Sequence, residues 1–213
     1  MLEKPLGVKG TWSAFFKTEN PIILELACGR GEYTLGLAEL HPENSYIGID
    51  IKGNRMYIGA REALQKKLSN AAFLRTQIET LPDYFAQGEV SEIWITFPDP
   101  QPRLSKAKKR LTHPRFLRLY QQVLKPGGLI HLKTDSPDLY EFTSRVIDLF
   151  GLNKIKSSEN IYAAGQVPEE LLIKTHYESL DIAQSKKVHY LQFTLPQTLP
   201  LHDEKLKELL MHE

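Results

Sequence analysis

The stretch "PIILELACGRGEYTLGLAELHPENSYIGID", residues 21–50, constrains the fold more than any other part of the chain. Ile22 to Leu26 is a short continuous apolar run, as a strand buried on both faces requires. Gly29 and Gly31 break that run, Thr34 to Leu40 has helical composition, and Tyr46 to Asp50 is a second apolar run closed by an acid. The pattern then repeats. "NRMYIGAREALQKKLSN" reads as a helix, Ala72 to Arg75 as a third strand and "VSEIWITF" as a fourth. "THPRFLRLYQQVLKPGG" reads as a helix opened by Thr112 and Pro114 and closed by Pro126-Gly127-Gly128. "LIHLKTD" is a fifth strand, and the helix in "SPDLYEFTSRVIDLFG" has Ser136 as N-cap, Pro137 in its first turn and Gly151 past its end. "VHYLQFTL" is a late strand. Strands and helices alternating at this length predict an α/β fold, a mostly parallel doubly wound sheet with helices on both faces.

At 213 residues the chain suits a single domain over residues 1–195, with 1–20 as a lead-in and 196–213 as a helical tail. That tail carries Leu206, Leu209 and Leu210 on one face, to dock on the domain or to pair with another subunit; a monomer or a homodimer is expected. A single cysteine, Cys28, rules out an internal disulfide framework and agrees with a reducing cytoplasm. No apolar run is long enough to span a membrane, and the first residues lack the apolar core of a signal peptide. Net charge is only +1, but its distribution is uneven. Between Pro100 and Thr134 there is no acid, whereas Arg103, Lys106, Lys108, Lys109, Arg110, Arg115, Arg118, Lys125 and Lys133 all fall there. Such a segment fits a polyanionic partner met on one face, or else a solvated loop and helix face.

Ligands of open α/β sheets bind outside the carboxyl ends of the strands. Four of those ends carry Glu25 with Gly29 and Gly31, then Asp50, Asp99 and Asp135. The glycines could serve only to supply positive φ, and Asp50 could cap the next helix. A nicotinamide dinucleotide and S-adenosylmethionine both suit a G-x-G turn followed by an acid. Glu25, just before the glycines, would repel a pyrophosphate and suits a cationic ligand, which favours S-adenosylmethionine. Cys28 reads as a packing residue without an activating base. His113 and His131 lack metal-ligand spacing and read as structural or close to the polyanionic partner, so no metal site is expected. Thr175-x-x-Glu178 matches a helix capping box.

"ELACGRGEY", "YIGID", "FPDPQPRLSKAKKRLTHPRFL", "IHLKTD" and "THYE" resemble, in order and spacing, the pattern of tRNA (guanine-N7-)-methyltransferases over about Pro21 to Leu195. The resemblance implies a Rossmann-like sheet of the class I methyltransferase type with a late antiparallel strand. It also implies S-adenosylmethionine as methyl donor and a guanosine in the tRNA variable loop as target. By matching position, Glu25, Gly29, Gly31, Asp50, Gln77 and Asp99 would line the cofactor site, with Asp99 catalytic. Arg103, Asp135, Thr175 and Glu178 would hold the target nucleotide, and Lys106, Lys108, Lys109 and Arg110 the tRNA backbone. Gln101 stands where the family pattern has tryptophan, and Gln77 where it has an acid or asparagine. A same-fold methyltransferase for another RNA site or a small molecule is one alternative. A tRNA-binding protein without turnover is another, and a dehydrogenase is the third. The cationic loop is expected to be mobile in the absence of RNA, with few apolar contacts.

Overall fold

The structure, a computed structural model, describes residues 1–163, 165–180 and 187–211, so the last two residues of the tail lie outside it. In chain order the elements are β1 (Leu2–Glu3), α1 (Trp12–Phe16), β2 (Ile22–Leu26), α2 (Glu32–Leu40), β3 (Ser45–Asp50), α3 (Gly53–Gln65), β4 (Ala71–Arg75), α4 (Leu81–Tyr84) and β5 (Val90–Thr96). There follow α5 (Pro114–Gln121), β6 (Leu124–Thr134), α6 (Pro137–Leu149), β7 (Asn153–Ser158), α7 (Glu169–Leu172), α8 (His176–Leu180), β8 (His189–Thr194) and α9 (Asp203–Met211). Short 3-10 turns cover Leu104–Lys109 and Ile161–Ala163.

Among the described residues eight strands form one sheet in the order β1-β4-β3-β2-β5-β6-β8-β7. β1 to β6 pair in parallel, and β8 runs antiparallel to both β6 and β7. Strand alternation sorts the side chains onto two faces. Leu24, Leu26, Ile93, Ile95, Ile130 and Leu132 meet α5, α6 and α9 in the main core. Ile23, Tyr46 and Trp94 meet Tyr33 and Leu37 of α2 on the other face, and Phe73 meets Leu35 and Met56 in a third cluster beside them. Because the order reverses at β2, whose neighbours are β3 and β5, the carboxyl ends of β2 and β5 flank a crevice, the place where such sheets hold ligands.

Two expectations are corrected. The fifth helix ends at Gln121, not at Pro126. Val123 and Leu124 are buried, so the chain re-enters the sheet at once, and Pro126-Gly127 fall in a bulge where the pairing jumps from Val90↔Leu124 to Glu92↔Leu129. The cap of α5 is His113, whose Nδ1 accepts from the Arg115 N–H at 3.1 Å, whereas the Thr112 hydroxyl bonds to that of Thr143. Ser136 caps α6 as expected, accepting from the Leu139 N–H. The tail docks on the domain: Leu206 and Leu210 of α9 are buried in the main core, and Arg118 donates to Asp203 and to the Pro200 carbonyl. Among the described residues no helix is long and apolar enough to cross a membrane.

Candidate active site

The ends of β2 and β5 are held by unusual backbone. Ala27 (φ 58°), Phe97 (φ 46°) and Gln101 (φ 48°) all adopt the left-handed conformation, which costs a non-glycine residue about 1–3 kcal/mol and clusters at functional sites. Phe97 is locked there because its N–H donates to the Lys133 carbonyl of the neighbouring strand at 2.8 Å. Pro98 is buried, and Gln101, two residues after Asp99, donates its N–H to Asp99 Oδ1 at 3.0 Å. The Asp99 carboxylate is therefore aimed by the turn that follows it, while remaining exposed.

Asp99 and Asp50 line one cavity of about 360 Å³, together with Ala27, Ile51, Thr76, Ile78 and Phe116. Asp50 Oδ2 accepts from the Gly29 N–H at 3.0 Å and Oδ1 from the Lys52 N–H at 2.8 Å, so it ties the glycine turn to the end of β3. A carboxylate offers about four lone-pair sites, which leaves two on Asp50 for hydroxyl donors such as those of a ribose. Glu79, Lys109 and Arg115 also line this cavity, and Arg115 pairs with Glu79 at 3.2 Å, so Asp50 and Asp99 leave the lining net negative, which suits a cationic nucleoside ligand better than a pyrophosphate. Gln77 lines the adjoining cavity with Arg75 and Thr80, next to the pair of acids rather than between them.

Glu25 sits beneath this floor instead of in the cavity. Its Oε2 accepts from the N–H of Thr34 at 2.8 Å and from the Thr34 hydroxyl, and its Oε1 accepts from the Thr96 hydroxyl at 2.6 Å. Burial raises its pKa from 4.5 to about 7, against the lowering effect of those hydrogen bonds. The folded state thus holds this proton more tightly than the unfolded chain does. The stability it contributes is fully present below pH about 4.5 and is lost as pH rises through about 7, a change of about 3 kcal/mol. Glu25→Gln keeps an acceptor for the Thr34 N–H and removes the proton. Its melting temperature is expected to gain on that of the parent between pH 5 and pH 8. Parallel pH profiles for the two proteins would refute this role.

A second cavity, of about 390 Å³, is lined by Phe97, Asp135, Tyr162, Lys174, Glu178 and Lys187. Thr175 is buried, and its hydroxyl accepts from the Glu178 N–H at 3.1 Å, which is the capping role. The reciprocal half of the box is not formed, because Glu178 Oε2 accepts from Lys133 Nζ at 2.9 Å and Oε1 accepts from the Tyr162 hydroxyl. The sequence reading missed Lys133 and Tyr162 as site residues. Lys133 had a signal, since it is a charge inside an apolar strand; Tyr162 had none.

The cationic loop forms the 3-10 turn Leu104–Lys109, with Arg103 exposed just ahead of it. Lys106, Lys108 and Lys109 are exposed, and Lys109 also borders the Asp50–Asp99 cavity. Arg110 departs from the expected contact with a polyanion. It is buried, donates to the Gln101 and Pro102 carbonyls, and lies 4.5 Å over the Phe142 ring. With Ala107 and Leu111 in the main core, the loop has more apolar anchorage than its charge suggested. Cys28 is buried and its thiol pKa is pushed up by burial, which leaves it unreactive. Burial lowers the pKa of His113 to about 4 and keeps it neutral. His131 stacks on Trp94 and bonds Tyr190 within the other face. A larger cavity of about 690 Å³ opens near Ile23, Trp94 and His131, and none of the site residues expected from the sequence line it.

Residues 19–191 match a family model described as "Putative methyltransferase". Over 195 residues the chain is 51% identical to the tRNA (guanine-N(7)-)-methyltransferase of Porphyromonas gingivalis, covering 91% of this chain and 79% of that protein. It is 36% identical over 152 residues to the enzyme of that name from Lactococcus lactis, covering 71% and 70% respectively. Among solved structures, the 16S rRNA methyltransferase KamB superposes with a TM-score of 0.66 at 17% identity, covering 88% of this chain and 94% of that one. That last likeness concerns the fold alone.

Proposed function

The chain belongs to the tRNA (guanine-N7-)-methyltransferase family, and from that premise we propose that it transfers the methyl group of S-adenosylmethionine to N7 of a guanosine in the tRNA variable loop. The observation that carries this reading is that one segment lines two cavities, Pro98 and Asp99 the one that also holds Asp50, and Phe97 the one that also holds Asp135 and Glu178. When bound, S-adenosylmethionine supplies an electrophilic methyl group on a sulfonium. Asp50 offers acceptors to its ribose hydroxyls, the Gly29–Gly31 turn lets the chain approach closely, and Asp99 faces its positive charge.

Guanine N7 carries an in-plane lone pair and needs no base to deprotonate it. The work of the protein is positioning for in-line displacement and stabilisation of the charge that methylation leaves on the purine. Asp135 and Glu178 supply acceptors for the N1–H and N2–H of guanine, a donor edge that adenine lacks. The exposed Lys106, Lys108 and Lys109 meet the tRNA backbone beside the entrance, and Arg103, exposed just ahead of them, meets the target nucleotide. Incubation with unmodified tRNA and methyl-labelled cofactor, followed by nucleoside analysis, is expected to yield labelled 7-methylguanosine from a variable-loop position. Label in another nucleoside, or salt-sensitive tRNA binding with no label at all, would overturn the proposal.

A further inference from the structure

Glu178 is held asymmetrically. On one side Lys133, whose side chain is fully buried, donates to Glu178 Oε2 at 2.9 Å and to the Ile173 carbonyl at 2.8 Å. Its ammonium also lies 5.3 Å from the ring centre of Tyr33 and 5.4 Å from that of Phe97. Walled in by two acceptors and two rings, this cation has nowhere to swing. On the other side the partner of Oε1 is the Tyr162 hydroxyl, on a 3-10 turn, with that residue 41% exposed at the rim of the cavity. One oxygen of Glu178 is thus fixed by a buried cation, and the other by a group that solvent can reach.

Resting on the guanosine-methylating reading, we propose that Tyr162 is a gate of the base pocket. Its hydroxyl occupies the Glu178 oxygen that the N–H edge of guanine requires, and it swings out when the base enters. Lys133 is a positioning residue that stays in place and keeps Glu178 an acceptor. The phenol suits this part because burial, with Glu178 beside it, raises its pKa, so it remains a neutral donor that imitates an N–H. Asp135 lines the same cavity and supplies a further acceptor, with Lys174 and Lys187 as the other charged groups around it.

The test is a double-mutant cycle on Tyr162→Phe and Glu178→Gln, read as KM and kcat on unmodified tRNA and as tRNA binding, which needs no turnover. Tyr162→Phe removes the competing donor, so KM and Kd for tRNA are expected to fall about fivefold, a hydrogen bond's worth, with a smaller change in kcat. In the Glu178→Gln background the same substitution is expected to change binding less than twofold. Thermal unfolding of each variant establishes that the folded protein is being compared. Unchanged or weaker tRNA binding by Tyr162→Phe overturns the gate, as does a gain that persists without Glu178. A parent protein that never methylates tRNA would instead overturn the underlying reading.

Discussion

Asp99→Asn is expected to lower kcat/KM for tRNA methylation by about 100-fold while tRNA binding changes less than threefold. Asparagine keeps an oxygen for the Gln101 N–H, so the turn around residue 99 survives the substitution. What disappears is a negative charge lining the Asp50 cavity, which on the proposed reading faces the positive charge that passes from sulfonium to purine during transfer. Removing one preorganised electrostatic group of this kind typically costs about 10²–10³ in rate. Single-turnover methylation at saturating tRNA and cofactor measures the step directly. A rate within threefold of the parent would show that Asp99 shapes the loop and does no more.

Gly31→Ala is expected to destabilise the fold by about 2–5 kcal/mol. Gly31 opens α2 at φ 79°, where an L-residue pays about 1–2 kcal/mol. An added Cβ would also drive into the Phe73 ring, and such overpacking costs about 1–3 kcal/mol more. Phe73 has little room to retreat, since it is buried against Leu35 and Met56. In a chain of this size each kcal/mol lowers the melting temperature by about 2–4 °C, so a drop of about 4–20 °C should appear in calorimetry. Phe73→Leu introduced alongside is expected to recover part of the loss by opening space. A drop below 2 °C would mean that the turn relaxes freely.

The strands that place the site were legible because each is a compact apolar run punctuated by glycine, proline or an acid. β2 and β3 emerge from the sequence within a residue of their bounds, and so do β4 and β5. β7 escaped notice because Asn153–Ser158 alternates lysine with apolar or small residues and is almost wholly exposed, so no burial pattern marks it. The end of α5 was misplaced because Pro-Gly-Gly reads as a helix stop, although here it serves a bulge inside β6. Sequence also gives the sign of a charge without its direction. Arg110 belongs to a cationic run, yet it points inward to two carbonyls and a ring. Glu25 was expected in the cavity and instead sits beneath it, because Thr34 and Thr96 approach only once α2 and β5 have packed. The role of Tyr162 depends on a fold that carries residue 162 back to residue 178.

Both rims of the sheet are poor templates for recruiting a stray strand. β1 offers only two residues of pairing, and β7 bears Lys154 and Lys156 along its open border. Lysine-studded or very short borders are how native sheets deter edge-to-edge accretion into fibrils.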